Sequence, residues 1–389
     1  MLRFQTAGES HGQCLTAWVS GLPLGVPIEL DFINRELRRR QAGYGRGGRM
    51  KIERDQAAIL SGVRHGQTIG APITLQIENK DWTHWEDALP VEDEPPADKQ
   101  RPLSRPRPGH ADLAGALKFN LHDARMVLER ASARETAARV AAGAVAKLFL
   151  RAFDIEVLSH TVAIGNVQLA RAAVWEEIVA ACRATDAEVR CVDPQLAQAM
   201  KKLIDHALAE RDSLGGIFEV VAHNVPPGLG SHTHWDEKLD GRLGQAILSL
   251  QAVKAVEIGT GVANAAAFGS EVHDEIGYDR EQRRFTRPTN HAGGLEGGVT
   301  NGEDVVVRGF LKPISTLRRP LASVDLVSKQ TVQAAYERSD VCVVPAAGII
   351  GEALVALVLA GAVREKFGGD TLEEARRNFE AYRQQLQSF

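Results

Sequence analysis

Arginine and glycine, residue types suited to binding anions, are concentrated near the N-terminal end of this 389-residue chain. The run Arg38–Arg40 is followed by the loop Ala42–Arg49, which reads AGYGRGGR. The planar guanidinium group pairs with phosphate or carboxylate, and glycine lets a loop fold onto such a ligand. The loop is not a Walker A motif, because no Gly-Lys-Ser/Thr follows. A run of arginines is also typical of a solvated helix face, and both interpretations stay open here.

Two further arginine segments each lie at the start of a predicted helix. Prolines stiffen the segment Arg105–Asp112 (RPRPGHAD), and its His110 comes just before the helix. In Arg130–Glu135 (RASARE), Ser132 and Glu135 have the spacing of a capping box. Because a helix N-terminus attracts negative charge, flanking arginines there indicate an anion site. An ordinary capping box is compatible with that site.

A Ser-His pair lies between glycines in the motif Gly8–Gly12, which reads GESHG. The motif fits the G-x-S-x-G nucleophile elbow of serine hydrolases, which needs a strand, a sharp turn and then a helix. Here the following residues, Gln13–Val19, alternate like a strand, so the context does not fit. The alternatives are a turn in which Ser10 and His11 hydrogen-bond or exchange protons with a ligand, and a plain surface turn.

Three C-terminal segments carry further residue types suited to binding. His291–Gly302 (HAGGLEGGVTNG) is dense in glycine, which indicates close approach of the backbone to a flat or phosphorylated ligand. Lys312–Thr316 (KPIST) groups a basic residue with hydroxyls, and Arg338–Asp340 (RSD) precedes an apolar run. We interpret His232 and His234 as loop histidines and predict no metal site, because no third ligand lies at helical spacing.

The elements that must position these residues alternate between strands and helices. Strands are predicted at Gln13–Val19, Pro72–Ile77, Ile217–His223 and Val341–Val344. Helices are predicted at Asp31–Gln41, from Ser132 onward, within Trp175–Arg211, after Val344 and at Thr371–Leu386. The segment Asp81–Gly109 turns acidic, then proline-rich, then basic, which is typical of a disordered loop or a functional lid.

An internal repeat is indicated by identities at a constant offset of 232 residues. The matching residues are Gly62, Gly66, Thr68 and Gly70 with Gly294, Gly298, Thr300 and Gly302. Each quartet leads into an apolar β-branched stretch, and a looser echo pairs Ser20–Gly25 with Asn224–Gly230. The spacing predicts one domain, residues 1–389, built from pseudo-equivalent halves at roughly 1–150 and 210–370.

Composition excludes several classes of protein. Hydrophobic residues make up 44% and charged residues 25%, which excludes general disorder and fibrous structure. The net charge of −4 does not suit a nucleic-acid partner, so a local arginine cluster must meet any anion. The four cysteines form no CxxC pair and no signal-peptide pattern is evident, which indicates a reduced, cytoplasmic protein. Because Pro345 and several glycines interrupt the apolar run 341–363, it predicts a buried helix rather than a membrane span.

Taken together, eight motifs in order make this chain resemble the chorismate synthase family in its compact bacterial form. The motifs are GESHG, AGYGRGGRM, RPRPGHADL, LERASARETAARVAAGA, SLQAVKAVEIG, GGLEGGVTNG, KPIST and RSDVCVVPAAG. They extend from residue 8 to about residue 350, nearly the whole chain. The resemblance implies an α+β fold of antiparallel sheets with flanking helices, assembled as a homotetramer.

The resemblance also implies a reaction, the conversion of 5-enolpyruvylshikimate 3-phosphate to chorismate. This is the last common step of the shikimate pathway to aromatic amino acids. The substrate loses phosphate and a ring hydrogen in a 1,4-elimination without net redox change, yet the family requires reduced FMN. Substrate and flavin together carry several phosphate and carboxylate groups, which local arginines would bind. The flavin would be reduced either by NADPH on this protein or by another reductase.

By resemblance, four residues carry the chemistry: His11 and His110 handle protons, while Asp340 and Ser10 orient or deprotonate groups around the flavin. The residues implied to hold FMN are Arg130, Ala131, Ser132, Gln251, Ala252, Gly297, Lys312, Pro313, Ile314, Ser315, Thr316 and Arg338. Those implied to hold substrate anions or NADPH are Arg40, Arg46, Arg49, Arg107 and Arg134, with Arg338 shared. Many family members have serine at the position of Ala131, and alanine makes no hydroxyl contact.

Two rival functions fit parts of the chain. An FMN-binding protein or flavin reductase needs only the glycine-rich and KPIST segments, and His110 and the surplus arginines argue against it. A serine hydrolase acting through Ser10 would react with a fluorophosphonate probe.

Overall fold

The computed structural model of the chain describes residues 1–47, 53–184, 188–337 and 339–389. Its strands are β1 (Arg3–Ala7), β2 (Cys14–Ser20), β3 (Ala57–Ser61), β4 (Val63–Arg64), β5 (Gln67–Thr68), β6 (Ile73–Glu78), β7 (Glu156–Ile164), β8 (Val167–Gln168), β9 (Gly216–His223), β10 (Val253–Ile258), β11 (Gly277–Asp279), β12 (Arg284–Thr286), β13 (Leu295–Glu296), β14 (Val299–Thr300), β15 (Val305–Leu311), β16 (Ala322–Val324) and β17 (Thr331–Gln333). Its α-helices are α1 (Leu30–Gln41), α2 (Asp112–Phe119), α3 (Arg125–Ala131), α4 (Thr136–Leu150), α5 (Trp175–Arg183), α6 (Pro194–Ala209), α7 (Leu239–Leu248), α8 (Gly269–Val272), α9 (Val344–Phe367) and α10 (Leu372–Ser388). Short 3-10 turns lie at Lys80–His84, Ala133–Glu135, Arg151–Phe153 and Gly261–Ala266.

Two antiparallel sheets form the framework. The first has the strand order β1-β2-β6-β3 and the second has the order β10-β15-β9-β7-β8. Buried residues alternate with half-exposed ones along β2 and β15, because successive side chains of a strand point to opposite faces. Helix α4 packs on the first sheet, α9 packs on the second, and the two helices pack against each other. The architecture is therefore α+β, which confirms the fold that the family resemblance implies.

The core lies between these two helices and the sheets. Helix α4 is rich in alanine and is buried along almost its whole length, and Gly143 brings its backbone directly against Ala353 of α9. From Val344 to Val363, helix α9 is apolar on all sides except at the buried Glu352, as expected of a helix segment with no solvent face. By length and composition it could cross a membrane, but 89% of its most apolar window is buried inside the molecule. It is the core helix that the sequence predicts after Val344.

The four strands of the first sheet match four of the five strands of the second. The order β1-β2-β6-β3 corresponds to β7-β9-β15-β10. Val19 pairs with Ile73 in the first sheet, and Ala222 pairs with Val305, 232 residues beyond Ile73, in the second. Both glycine quartets form a hairpin, β4-β5 in one case and β13-β14 in the other, directly before the paired strand.

Equivalent threonines attach the two hairpins to the chain in the same way. The Thr68 hydroxyl donates to the Pro23 carbonyl oxygen and accepts from the Val26 backbone N–H. The Thr300 hydroxyl likewise donates to the Pro226 carbonyl oxygen, at 2.7 Å, and accepts from the Leu229 backbone N–H, at 2.8 Å. These matches support a duplicated unit, while the division at roughly 1–150 and 210–370 stays a prediction.

Two of the predicted elements are wrong in detail. Val341–Val344 is not a strand: Cys342 forms an isolated bridge to Leu214, and α9 begins at Val344. Proline is favourable in the first turn of a helix, so Pro345 starts α9 instead of interrupting it. The predicted helical stretch 175–211 is two helices, since the Asp193 carboxylate caps the N-terminus of α6 ahead of Pro194.

The predicted capping box at Ser132 is only half formed. The Ser132 hydroxyl accepts from the Arg134 backbone N–H. The Glu135 carboxylate does not return to the Ser132 backbone; it accepts from Thr6 and Arg139 instead. A 3-10 turn separates Ser132 from the start of α4, which moves Glu135 out of the position that a capping box requires.

Candidate active site

A cleft of about 400 Å³ brings together segments that are far apart in the sequence. The predicted site residues on its wall are Ser10, His11, Arg40, Arg46, Arg107, His110, Ala131, Ser132, Arg134, Gln251, Ala252, Lys312, Ile314, Ser315, Thr316 and Asp340. Apolar side chains complete the wall, among them Leu250, Leu311, Val343 and Ile350. The cleft therefore combines charged groups with a hydrophobic surface, as sites for flat organic ligands do.

His11 is buried at the cleft wall and is held by a carboxylate. Its Nδ1 lies 2.9 Å from Glu129 Oε1, and its backbone N–H donates to Glu129 Oε2 at 2.7 Å. The ring also lies against Trp85, with 4.2 Å between ring centroids. Ser10 is fixed beside it, since its hydroxyl donates to Ser132 Oγ at 3.0 Å.

His110 contacts a second carboxylate, which is itself held by an arginine. His110 Nδ1 is hydrogen-bonded to Asp112 Oδ1, and Arg107 donates from Nε and Nη2 to the two Asp112 oxygens at 2.8 and 3.0 Å. Burial opposes ionisation of Asp112, but the hydrogen bonds from His110 and Arg107 outweigh it and hold its pKa well below the ordinary value. Arg107 also donates to the Thr316 hydroxyl at 3.0 Å, which ties this loop to the KPIST segment.

Arg40 and Arg134 share one buried carboxylate, Asp55. Arg134 Nη1 lies 2.6 Å from Asp55 Oδ1, and Arg40 Nη1 lies 3.4 Å from Asp55 Oδ2. Arg134 Nε also donates to Asn79 Oδ1, and Arg40 Nε donates to the Thr136 hydroxyl. Burial outweighs the attraction of Asp55 and lowers the pKa of the Arg40 guanidinium to about 10. Arg40 therefore stays positive at neutral pH.

Asp340 connects the C-terminal side of the cleft to the Gly/Arg loop. It lies 2.8 Å from Arg46 Nη1 and accepts from the Gly47 backbone N–H at 2.5 Å. A side chain at position 47 would collide with the Ser339 carbonyl oxygen, so this loop can approach only with glycine there.

The KPIST segment lies against the loop that carries His110. Lys312 Nζ donates to Ser315 Oγ at 2.9 Å, and the Ser315 hydroxyl donates to the Gly109 carbonyl oxygen at 2.9 Å. Burial and the nearby Lys254 lower the pKa of the Lys312 ammonium group. A cation with incomplete charge compensation is well suited to bind an anion.

Gln251 places a polar atom on the wall without a partner in the described part of the chain. Its Nε2 donates to Glu135 Oε2 at 3.4 Å, while its Oε1 is buried and accepts no hydrogen bond from a described residue. Buried acceptors are rarely left unpaired, so this atom indicates a ligand that carries a hydrogen-bond donor. The neighbouring Ala252 has a positive φ of 69°, which turns the backbone at this point.

Several predicted site residues do not reach the cleft. The Arg130 guanidinium donates to the backbone carbonyl oxygens of Gly8 and Thr6 at 3.1 and 2.8 Å. Gly297 lies in the β13-β14 turn near His232, and Pro313 is in the KPIST segment but off the wall. Arg49 and Arg338 lie outside the described residues.

Other residues of the site have no signal in the local sequence. Glu129, Asp55 and Trp85 hold the predicted histidines and arginines. Asp55 and Trp85 belong to none of the quoted motifs, and Glu129 lies in LERASARETAARVAAGA without a signal for its role. Each contacts a residue distant in the chain: Glu129 lies 118 residues from His11 and Asp55 lies 79 residues from Arg134. Only the fold brings these pairs together.

Comparisons with known proteins agree on one family. The family model for chorismate synthase matches residues 2–363. The chorismate synthase of Solibacter usitatus is 61% identical over 389 residues, covering 100% of both chains. That of Aquifex aeolicus is 52% identical over 395 residues, covering 100% of this chain and 99% of the relative. A crystal structure of chorismate synthase has 43% sequence identity and a TM-score of 0.80, covering 100% of this chain and 99% of that chain. The chain belongs to the chorismate synthase family.

Proposed function

We propose that this chain catalyses the 1,4-elimination of phosphate from 5-enolpyruvylshikimate 3-phosphate to give chorismate. It acts as a phosphate-lyase at the last common step towards the aromatic amino acids. The observation that carries the proposal is the cleft itself. In a chain of net charge −4, four arginines from separate segments and two carboxylate-held histidines line one pocket. A substrate with one phosphate and two carboxylates requires such a local concentration of positive charge.

The cleft fits reduced FMN as its cofactor. Its apolar wall of Leu250, Leu311 and Ile350 suits a flat ring system, and the buried Gln251 Oε1 suits a ring N–H. Lys312 and Ser315 supply a cation and a hydroxyl for the cofactor phosphate. When bound, reduced FMN supplies an electron-rich ring that can take up the hydrogen lost by the substrate.

The side chains of the cleft divide the remaining tasks. Arg40, Arg46, Arg107 and Arg134 bind the substrate anions and hold the departing phosphate. His11 and His110 give or take protons at the ring nitrogen that is not bound to a carboxylate. Asp340 and Ser10 orient groups around the flavin. The two loops that meet at Asp340 and Arg46 exclude water.

We also propose NADPH, bound near Arg40 and Arg46, as the flavin reductant, and a cytoplasmic homotetramer as the working assembly. An exposed apolar patch supports association between copies: the rings of Tyr278 and Phe285 lie 5.2 Å apart, and Phe285 lies 6.2 Å from Phe389. All three side chains are at least half exposed in the single chain. Size-exclusion chromatography coupled to light scattering measures the molar mass of the assembly directly.

The test is an anaerobic assay with the enolpyruvyl substrate and chemically reduced FMN. We expect stoichiometric phosphate release together with the absorbance of chorismate, and no activity with oxidised FMN alone. Adding NADPH to oxidised FMN separates a chain that reduces its own flavin from one that depends on another reductase. Flavin binding without phosphate release would indicate the FMN-binding or reductase alternative. Labelling of Ser10 by a fluorophosphonate would indicate a hydrolase.

A further inference from the structure

The carboxylate of Glu129 binds both the backbone and the ring of His11. Glu129 is buried on α3, its Oε2 accepts from the His11 backbone N–H at 2.7 Å, and its Oε1 lies 2.9 Å from His11 Nδ1. Its own backbone carbonyl oxygen accepts from the Ser10 backbone N–H at 2.8 Å. One residue of α3 therefore fixes the turn Gly8–Gly12 at three points.

These contacts determine which ring nitrogen of His11 can reach a ligand. A carboxylate at Nδ1 favours a hydrogen on that nitrogen, which leaves Nε2 as the atom able to accept or donate a proton elsewhere. Trp85 packs against the ring and restricts its rotation. No other described residue hydrogen-bonds the His11 ring, and His11 lines the cleft, so Nε2 is available to the substrate or the flavin.

Glu129 also lies beside a buried cation. Arg125 Nη1 is 3.8 Å from Glu129 Oε1, which is longer than a hydrogen bond, and it has no hydrogen-bond partner among the described residues. The other nitrogens of Arg125 are engaged elsewhere, because Nη2 donates to Glu337 and Nε donates to the Arg101 carbonyl oxygen. Both carboxylate oxygens of Glu129 therefore remain hydrogen-bonded to His11, and the contact fixes the position of that residue.

We propose that Glu129 is a positioning residue for the elimination, acting through His11. It holds the ring with the hydrogen on Nδ1 and leaves Nε2 available to the cleft. The inference rests on the proposed function, in which His11 transfers a proton. The general principle is that a carboxylate behind a histidine fixes its tautomer and its orientation. Glu129 itself does not bind the anionic substrate.

The experiment compares Glu129→Gln with a matched control, Glu219→Gln. Glu219 is also buried and also lies 2.9 Å from a histidine, His160, but it is on β9 and outside the cleft wall. For each variant we measure single-turnover phosphate release under anaerobic conditions, the dissociation constants of reduced FMN and substrate, and the melting temperature. We expect Glu129→Gln to slow phosphate release by about 10²-fold. This is the lower end of the roughly 10²–10⁴-fold that a general acid or base contributes. Both dissociation constants should stay within about 3-fold. Glu219→Gln should lower the melting temperature with release within about 2-fold.

The decisive step is a double-mutant cycle with His11→Ala. If Glu129 acts through His11, Glu129→Gln has almost no further effect on release in the His11→Ala background. Equal losses in both backgrounds, or release by Glu129→Gln within about 3-fold of the wild type, would overturn the inference. If Glu129→Gln does not fold, Glu129→Asp replaces it in the double-mutant cycle. Aspartate keeps the negative charge, but its side chain is one methylene shorter, so the carboxylate lies farther from His11. Absence of phosphate release in the wild-type protein would instead contradict the proposed function.

Discussion

At the residue scale, Asp55 contacts both Arg40 and Arg134, and this sharing decides what an arginine substitution does. Arg134 is almost completely buried, and its guanidinium is bound by Asp55 and by Asn79. The charge of Arg134 therefore stabilises the fold, and in the proposed function it also binds a substrate anion. Removing one partner of a buried ion pair leaves the other charge uncompensated. The resulting loss of stability is larger than the net stabilisation that the intact pair contributes.

We therefore expect Arg134→Ala to weaken two properties at once. Substrate affinity should fall by roughly 1.5–3 kcal/mol, the scale of a charge-assisted hydrogen bond. The free energy of unfolding should fall by about 3–5 kcal/mol, because among the described cations Asp55 then keeps only the 3.4 Å contact with Arg40. Denaturant unfolding and substrate titration measure the two separately. The control is Arg376→Ala, an exposed arginine of α10. An unchanged substrate dissociation constant would remove Arg134 from the binding site.

The two histidines lead to a different expectation. His11→Ala and His110→Ala should each reduce turnover by about 10²–10⁴-fold, the contribution of a positioned general acid or base. Flavin and substrate affinity should change far less, since both rings are held by carboxylates rather than by packing in the main core. Single-turnover phosphate release, FMN affinity and melting temperature are measured for each variant. Turnover within a few-fold of the wild type, with the flavin site intact, would exclude proton transfer by that histidine.

The residues that carry charge or titrate near neutral pH could be predicted from local sequence, whereas their partners could not. His11, His110 and the arginines lie in short motifs where glycine or proline shapes the chain around them. Glu129 lies on the short helix α3, and nothing in its neighbours indicates that it faces His11. Arg130 shows the converse: it is adjacent to Glu129 in the motif, yet it binds the β1 backbone.

At the scale of elements, periodicity and caps predict the strands β2, β6 and β9 and the helices α1, α4, α9 and α10, but not the other strands of the two sheets. The strand predicted at Val341–Val344 is the start of α9, because a short apolar run has no period and fits a strand or a buried helix equally well. The Val341 backbone N–H donates to the Gly45 carbonyl oxygen, and the Leu214 backbone N–H donates to that of Val341. Val341 therefore forms isolated backbone hydrogen bonds to distant segments instead of the continuous pairing of a β-strand. No sequence pattern indicates these isolated bonds.

A buried ion network joins three of the helices. Glu36 of α1 accepts from Lys147 of α4 at 2.6 Å and from Arg39 at 2.8 Å, and both cations also contact Glu352 of α9. Burial opposes ionisation of Glu36, but Lys147 and Arg39 outweigh it and lower its pKa from 4.5 to about 2. Since Arg40 follows Arg39 on α1, the network also fixes the helix end that enters the cleft.

Because of this network, the free energy of unfolding depends on pH in the acidic range. Because the pKa of Glu36 is lower in the folded than in the unfolded chain, its stabilisation is complete above about pH 4.5 and is lost as the pH falls toward about 2. Glu36→Gln should therefore lower the free energy of unfolding at neutral pH by about 3–5 kcal/mol and flatten its decline over that range. Denaturant unfolding at a series of pH values measures both effects, with the exposed Glu380→Gln as control. Parallel curves for Glu36→Gln and wild type would contradict the lowered pKa.

At the scale of the whole molecule, the helix pair α4 and α9 connects the two sheets and reaches the cleft. Their contact is close because Gly143 has no side chain: a Cβ there would overlap Ala353 of α9. The N-terminal half of α9 continues into the cleft wall through Ala346, Ala347 and Ile350. The distance between the two helices therefore sets both the packing of the core and the position of the apolar wall.

We expect Gly143→Ala to destabilise the protein by about 1–3 kcal/mol through overpacking, against the higher helix propensity of alanine. FMN affinity should fall as well, because displacing α9 moves Ala347 and Ile350. Gly361→Ala on α9 is the matched control: its Cβ would meet no atom within 4 Å, so it should be neutral or stabilising by up to about 1 kcal/mol. Denaturant unfolding and FMN titration of the wild type, Gly143→Ala and Gly361→Ala test this. Wild-type stability and wild-type FMN affinity in Gly143→Ala would show that the helix contact does not couple the core to the cleft.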